Sequence, residues 1–469
     1  MKKTALVLIP ALLLPVLLLG LCAFLPGRVY GESYYGGMEA KLSRIRQAGE
    51  GKIVIVGGSA AAFGADSSAI GQELGREVVN FGLYAALGTV YMMEQAKPYI
   101  EKGDILLLIP ELSEQTMSAY FGADYAWQVA DCCPSTLLHI PPNRIGEMIA
   151  ACPAYLSSKF RLKRLGGARA DGVYARSSFS EAGDLVYPRP WNSMLYGYDR
   201  TMPIRFDVGL IDPEFTEAVN AFTAYAESKG ARVCYGFPPM NALALASSPD
   251  EIYAFFLALT DSLDCPVISS PEDCVLDAKL FYDSNFHVND AGAAVYSAML
   301  ANDLLRTCGI PRAVPIPDTA MIPDVDPGTD PDAVSSGAEG FLTAAVPGGV
   351  SIVGVAESLA DAETIVIPDE IGGRAVAAIE TGAFSACRKL LRITIPAGVV
   401  SLADGIFDGC AALREIRLNA VSASDVSVGG DLLRGCGAML YVSEDAYPSF
   451  VSDYFWSRYT DVTDILGEP

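Results

Sequence analysis

The stretch Lys52-Ile-Val-Ile-Val-Gly-Gly-Ser-Ala-Ala-Ala-Phe-Gly64 decides the fold of the first two thirds of the chain. Residues 53–56 form an apolar, β-branched run, which is typical of a strand buried on both faces. Gly57 and Gly58 permit a tight turn, and Ser59 follows at once. This predicts a strand–turn–helix that places the Ser59 hydroxyl, beside backbone N–H groups, at the ligand-binding edge of a parallel sheet. The alternative is an ordinary turn in which Ser59 only caps the helix.

Strands and helices alternate on both sides of a less regular region. Strands are predicted at 78–81, 105–109, 231–237 and 266–269, and helices at 66–75, 88–102, 215–229, 249–263 and 289–307. This alternation predicts an α/β fold with a doubly wound parallel sheet of the flavodoxin-like, three-layer kind. Residues 111–200, with scattered Tyr, Pro and Gly, indicate a helical insertion or loops that face a substrate.

The chain has 469 residues, too many for one hydrophobic core. Its composition predicts an N-terminal membrane segment (1–27), an α/β domain (28–310), a linker rich in Pro, Asp, Gly and Ser (311–345) and a repeat domain (346–469). The chain carries 33 basic and 56 acidic residues, a formal net charge of -23. A nucleic-acid-binding protein needs a basic surface, so we expect no nucleic-acid partner.

Two lysines precede an apolar run over residues 5–25. The run is long enough to cross a bilayer, and Lys2 and Lys3 favour a cytoplasmic N-terminus. We therefore expect a single-pass anchor in the cell membrane with the rest of the chain outside the cytoplasm. A cleaved signal peptide, and hence a secreted protein, is the alternative.

The chain has 11 cysteines but no CxxC pair, and only two histidines, which disfavours a Cys/His zinc site. We expect neither a metal nor an organic cofactor. The cysteines are expected to be mostly free thiols, with a Cys265–Cys274 disulfide left open.

A repeat follows the linker. Ile365-Val-Ile-Pro368 recurs as Ile393-Thr-Ile-Pro396, and Gly382-Ala-Phe-Ser-Ala-Cys387 recurs as Gly405-Ile-Phe-Asp-Gly-Cys410, with a weaker third copy that ends at Cys436. The cysteine spacings of 23 and 26 residues fall in the leucine-rich-repeat range. The pattern predicts a short solenoid whose cysteines stack as small buried groups. The aromatic segment 441–460 is expected to cap its open end.

A nucleophilic serine needs a base, and histidine is the usual one near neutral pH. His139 lies in an apolar loop, where a structural role is expected. His287 lies immediately before the last helix of the α/β unit, at the same sheet edge as Ser59, and Asp283 is four residues upstream. These residues predict a Ser/His/Asp set. The alternative for His287 is a hydrogen bond within its own turn.

Residues 50–308 resemble the SGNH (GDSL-type) hydrolases in three blocks. Gly57-Gly58-Ser59 resembles the nucleophile block, Asn80-Phe81-Gly82 the second block, and Asp283 to His287 the last block. The resemblance implies that Ser59 is the nucleophile, His287 the general base and Asp283 its orienter. It also implies that the N–H groups of Ser59 and Gly82 form the oxyanion hole.

The sequence departs from this pattern at three places. Gly58 stands where the nucleophile block usually has Asp. Pro110-Glu111-Leu112 follows the third strand, where the family has Gly-x-Asn-Asp, so the Asn donor is missing and Glu111 has no defined role. Asp283 is four residues before His287 instead of three, and Ser284 takes the usual position. Gly58, Asn80, Glu111 and Ser284 are expected to line the site.

The membrane-anchored relatives in this family modify envelope polymers beside membrane-bound O-acyltransferases. The repeat resembles the BspA-like type of leucine-rich repeat, over about residues 350–440. Together these resemblances imply an esterase or O-acyltransferase that acts on an acylated cell-envelope polysaccharide, with a membrane-bound O-acyltransferase as a partner. The alternative is an inactive SGNH-like surface protein whose repeats bind a protein or glycan.

Overall fold

The computed structural model describes residues 27–453 and Trp456, except for gaps at 165–166, 169–171, 195, 201, 326–333, 337–339, 430–431, 434–435, 437 and 444. Within these ranges, no helix combines the length and the apolar composition that a bilayer crossing requires. The apolar run over residues 5–25, predicted to be a membrane anchor, lies outside the described residues.

A parallel sheet organises the first module. Its strands are β1 (Ile53–Gly57), β2 (Val78–Gly82), β3 (Ile105–Ile109) and β4 (Arg232–Tyr235), and two short strands, β5 (Met240–Asn241) and β6 (Val275–Leu276), pair separately. The order across the sheet is β2-β1-β3-β4, with Gly57 in register with both Gly82 and Ile109. Strands β1 to β3 are buried throughout, as their apolar runs predict. The α/β class with a parallel sheet is confirmed, and three strands end together at one edge.

The helices of this module follow the predicted alternation. They are α1 (Gly37–Gln47), α2 (Ser59–Gly64), α3 (Ser67–Leu74), α4 (Thr89–Ala96), α5 (Ala123–Cys132), α6 (Ile145–Arg164), α7 (Pro213–Ser228), α8 (Pro249–Ser262) and α9 (Asp290–Thr307). Helix α2 begins at Ser59, directly behind β1. Helix α9 begins after Asn289, whose side chain accepts a hydrogen bond from the Gly292 N–H at 2.9 Å, as its predicted capping role requires.

The segment 266–269, predicted as a fifth strand, forms only a single bridge, between Val267 and Tyr235. Pro266 begins the segment and Pro271 follows it closely, and a proline has no N–H to donate to a ladder. The parallel ladder therefore shrinks to one bridge beyond β4.

The second module, residues 334–456, is called the repeat module below. Its strands are β7 (Val334–Ser336), β8 (Phe341–Val346), β9 (Gly349–Val355), β10 (Thr364–Val366), β11 (Glu370–Ile371), β12 (Arg374–Ile379), β13 (Arg392–Ile395), β14 (Ser401–Leu402), β15 (Glu415–Leu418), β16 (Ser427–Val428) and β17 (Met439–Tyr441), with helices α10 (Glu357–Ala360) and α11 (Tyr447–Ser452). Strands β10, β13, β15 and β17 form a parallel sheet in which Ile365, Ile393, Ile416 and Leu440 lie side by side. Equivalent repeat positions thus occupy equivalent places in the sheet.

The other repeated residues also stack. The Phe384 and Phe407 rings lie 5.8 Å apart, and the buried Cys410 thiol donates a hydrogen bond to the Phe384 carbonyl at 3.1 Å. Cys265 and Cys274, in the first module, are separate buried thiols and form no disulfide.

The segment 311–345, predicted to be a linker, contains strand β7 and most of β8. These strands pair antiparallel, with Val334 opposite Ala344, and Phe341 is buried. Burial of Phe341 in a hairpin outweighs the Pro- and Asp-rich composition that precedes it, so the described structure of the repeat module begins before residue 346. Of the aromatic residues in the segment 441–460, Tyr447, Phe450 and Trp456 are buried, whereas Tyr454, Phe455 and Tyr459 lie outside the described residues.

Candidate active site

Ser59 and Glu111 meet where strands β1 and β3 end. The Ser59 hydroxyl donates a hydrogen bond to Glu111 Oε1 at 3.0 Å, and the Ala60 N–H donates to the same oxygen at 2.8 Å. Both side chains are buried. A carboxylate at this position accepts a charge-assisted hydrogen bond from the first turn of helix α2. Glu111, which sequence reasoning left without a role, is thus the acceptor for the predicted nucleophile.

Gly58 explains how Glu111 fits. A Cβ atom on Gly58 would lie 2.9 Å from Glu111 Oε1 and 2.9 Å from the Ala85 Cα, and real Cβ contacts are not that short. The aspartate that the resembling family has at this position would therefore collide with the Glu111 carboxylate. Gly58 and Glu111, both departures from the family pattern, are therefore linked: the absence of a side chain at position 58 leaves the space that the Glu111 carboxylate occupies.

Asn80 is fully buried and holds helix α2 against β2. Its amide donates to the carbonyls of Ala61 (3.0 Å) and Ala65 (2.8 Å), and its Oδ1 accepts from the Gly82 N–H at 3.0 Å. The Gly82 N–H, predicted as an oxyanion donor, is therefore engaged. Within the described part of the chain, no group accepts a hydrogen bond from the Ser59 N–H.

The structure brings Asp283 and His287 together. Asp283 Oδ1 lies 2.8 Å from His287 Nδ1, and the Tyr174 hydroxyl donates to Asp283 Oδ2 at 2.8 Å. The Ser284 hydroxyl accepts from the His287 N–H at 3.2 Å, so Ser284 closes the turn that accommodates the additional residue. A carboxylate on Nδ1 places the ring proton there and leaves Nε2 free to act as a base.

Helix α2 links His287 to Ser59. The imidazole stacks on the Phe63 ring with centroids 4.0 Å apart and planes 12° apart. Phe63 is four residues after Ser59, so the two side chains share one face of the helix. Arg189 donates to the Phe63 carbonyl at 3.1 Å, and its guanidinium lies over the Phe63 ring. The hydrogen bonds of the described residues do not include one between Ser59 and His287; the serine hydroxyl is directed at Glu111.

A group of buried tyrosines adjoins the Asp283–His287 pair. The Tyr34 ring lies 5.6 Å from that of Tyr174 and 4.6 Å from that of Tyr84. The Tyr34 hydroxyl is buried and has no hydrogen-bond partner among the described residues. Burial raises the pKa of the Tyr34 and Tyr174 phenols well above their usual range, and the Asp283 carboxylate raises it further, so both hydroxyls remain protonated donors.

Sequence reasoning missed several residues around this site: Tyr34, Phe63, Tyr174 and Arg189. Tyr174 and Arg189 come from the irregular region, where nothing in the sequence indicates which side chains turn inward. His139, the other histidine, lies away from this site, with its ring nearly perpendicular to that of Tyr99, and burial lowers its pKa. The described residues contain no group of three or more His, Cys, Asp or Glu side chains arranged to hold a metal ion.

Comparison of the chain with protein-family models, with curated proteins and with solved structures gives no match. The evidence on function lies in the chemistry of Ser59, Glu111, Asp283 and His287 and of the groups around them.

Proposed function

We propose that this protein is an extracytoplasmic, membrane-anchored esterase or O-acyltransferase of the SGNH kind, with a doubly wound α/β domain and a BspA-like leucine-rich-repeat solenoid. Its substrate is an acyl ester of a cell-envelope polysaccharide. The observation that carries the proposal is the Asp283–His287 pair, 2.8 Å apart, stacked on the helix that begins with Ser59. This arrangement supplies an oriented base that packs on the same helix face from which the buried Ser59 hydroxyl projects.

In the proposed reaction, the Ser59 hydroxyl rotates from Glu111 toward His287. Its oxygen attacks the ester carbonyl while His287 Nε2 takes its proton. The C–O bond to the sugar then breaks, and the sugar oxygen receives that proton. Water, or the hydroxyl of a second polymer, attacks the acyl-serine in the same way and regenerates Ser59. Water gives hydrolysis, and a polymer hydroxyl gives transfer.

The oxyanion of the tetrahedral intermediate needs donors, and the family's Asn is absent. The Ser59 N–H and the Tyr34 hydroxyl, neither of which has an acceptor among the described residues, are the candidate donors. Gly82 contributes if its N–H leaves Asn80. Glu111 opposes the developing charge, because a carboxylate and an oxyanion repel each other. The mechanism therefore predicts a slow enzyme whose rate Glu111 limits.

A second candidate function is supported by the same carboxylate. Glu111 accepts hydrogen bonds from both the Ser59 hydroxyl and the Ala60 N–H. These two groups are then not available to a substrate carbonyl. On this hypothesis the α/β module keeps the fold without the reaction, and the repeat module binds a protein or glycan at the cell surface.

Hydrolysis of p-nitrophenyl acetate by the full chain, purified in detergent, separates the two functions. The esterase proposal predicts measurable turnover that is lost in Ser59→Ala and His287→Ala, with both variants folded by circular dichroism. Turnover equal to that of Ser59→Ala would rule out the esterase and leave the binding function.

A further inference from the structure

A cleft of about 250 Å³ lies between the two modules, beside the Asp283–His287 pair. The α/β module contributes Tyr174 and Asp283 to it, the two residues that hold His287 in place. The opposite wall belongs to the repeat module and includes Ser424, Asp425 and Trp456. The repeat module therefore borders Asp283, the proposed orienter of His287, whereas Ser59 and His287 themselves are not among the described residues that line the cleft.

The wall that the repeat module supplies is fixed by contacts at several points. Arg161 of helix α6 donates to the Tyr447 hydroxyl at 2.8 Å, and the Tyr196 hydroxyl bonds to Glu380. Within the wall, the Trp456 indole N–H donates to the Val426 carbonyl at 3.0 Å. The cleft is thus a built feature of the docked modules.

The lining has a distinct chemistry. It combines three carboxylates (Asp283, Asp425 and Asp453), serine hydroxyls and the aromatic side chains Tyr174 and Trp456. The described residues that line it include no Lys, Arg or His. Carboxylates accept hydrogen bonds from hydroxyl groups and repel anions, whereas Tyr174 and Trp456 are buried and present only small parts of their rings to the cleft. A neutral or cationic, hydroxyl-rich ring matches this lining, and a phosphate or a uronate does not.

The size of the cleft sets the length of the ligand. Pockets for drug-sized molecules have volumes of roughly 300–1,000 Å³. At about 250 Å³ the cleft accommodates a single sugar residue, with the remainder of a polymer outside.

We propose that this cleft is a glycosyl subsite, in which the repeat module selects a neutral or amino-sugar residue of the acylated polysaccharide. This inference rests on the proposed esterase function. It gives the repeat module a role in substrate choice at the active site, distinct from adhesion to a separate ligand.

The test uses Ser424→Trp, which fills the cleft from the repeat-module side. Ser424 is exposed, and among the described residues its hydroxyl bonds to that of Ser422 alone, at 3.1 Å, so we expect the larger side chain to leave the fold intact. Val421→Trp is the control, because Val421 is 77% exposed on the same segment and does not line the cleft. Each variant is assayed on p-nitrophenyl acetate, on O-acetylated xylo-oligosaccharides and on O-acetylated mannuronate oligosaccharides.

We expect Ser424→Trp to lose roughly tenfold or more in kcat/KM on the acetylated xylo-oligosaccharides while p-nitrophenyl acetate turnover is unchanged, a loss typical of one removed subsite. Val421→Trp should match the wild type on all substrates, and the anionic mannuronates should be the poorer sugar substrates. Equal rates for Ser424→Trp and wild type on the xylo-oligosaccharides, no wild-type turnover of them, or a preference for mannuronates would each overturn the subsite. Absence of p-nitrophenyl acetate turnover in the wild type would instead refute the underlying esterase function.

Discussion

Replacement of Glu111 by glutamine should change stability and activity in opposite directions. Glu111 Oε1 accepts two hydrogen bonds, from the Ser59 hydroxyl and the Ala60 N–H. A hydrogen bond to a charged group contributes about 1.5–3 kcal/mol and a neutral one about 0.5–1.5 kcal/mol, so the loss of charge costs about 2 kcal/mol in total. For a module of this size, that lowers Tm by roughly 4–8 °C.

The effect on the rate has the opposite sign. For an assumed separation of about 5 Å, a carboxylate raises the energy of the oxyanion intermediate by about 3 kcal/mol at an effective dielectric constant of ~20. Removal of that charge in Glu111→Gln should therefore raise kcat by up to about 100-fold. The assay is p-nitrophenyl acetate turnover, with Tm measured by differential scanning calorimetry on the same preparation.

Glu77→Gln is the matched control, because Glu77 is an exposed carboxylate that accepts from the Gly49 N–H at 2.9 Å, away from the site. It should leave kcat unchanged and lower Tm only slightly, since exposed charges contribute little. A fall in kcat of Glu111→Gln to the level of Ser59→Ala, with the expected fall in Tm, would refute this reasoning and identify Glu111 as the base.

Three further changes test other parts of the site and fold. Asp283→Asn should lower kcat by roughly 100-fold or more, with little change in KM, because the His287 tautomer is no longer fixed. Tyr34→Phe should lower kcat by about 10- to 100-fold without loss of Tm, whereas Tyr91→Phe, a buried tyrosine in helix α4, should leave kcat unchanged. Burial lowers the pKa of Lys41 to about 7 in the folded protein. The unfolded chain therefore binds the additional proton between pH 7 and about 10.5, so stability should rise with pH across that window, and Lys41→Met should flatten the rise in Tm.

Each of these three predictions would be contradicted by a specific result. An unchanged kcat in Asp283→Asn would show that the 2.8 Å contact does not serve the reaction. Equal effects of Tyr34→Phe and Tyr91→Phe on kcat would remove Tyr34 from the oxyanion site. A Tm that rises as steeply in Lys41→Met as in the wild type would assign the pH dependence to another group.

The sequence was sufficient to predict the elements that local pattern controls. Apolar runs located β1, β2 and β3, and the Asn289 cap predicted the start of α9, because burial on both faces and helix capping are local requirements. The strand predicted at 266–269 was wrong, because Pro266 and Pro271 limit the ladder to one bridge. The hairpin of β7 and β8 inside the segment 311–345 was not predicted, because Phe341 finds its partners only in the folded hairpin.

The site was predictable to a similar extent. Ser59, Asp283 and His287 came from motif and spacing, and the structure places the last two in contact. The role of Glu111 depends on the space that Gly58 leaves, which no local pattern reveals. The hydrogen bond between Asn80 and the Gly82 N–H depends on tertiary packing. The same holds for the positions of Tyr34 and of the repeat module near Asp283, because they come from distant segments of the chain.

The proposed nucleophile can be tested by covalent labelling of the full chain with a fluorophosphonate, followed by peptide mass spectrometry to locate the adduct. The esterase account predicts a single adduct on Ser59, absent in Ser59→Ala and formed much more slowly in His287→Ala, since the probe reacts only with an activated serine. A folded wild-type chain that takes up no label, or takes it up on a serine other than Ser59, would contradict the account.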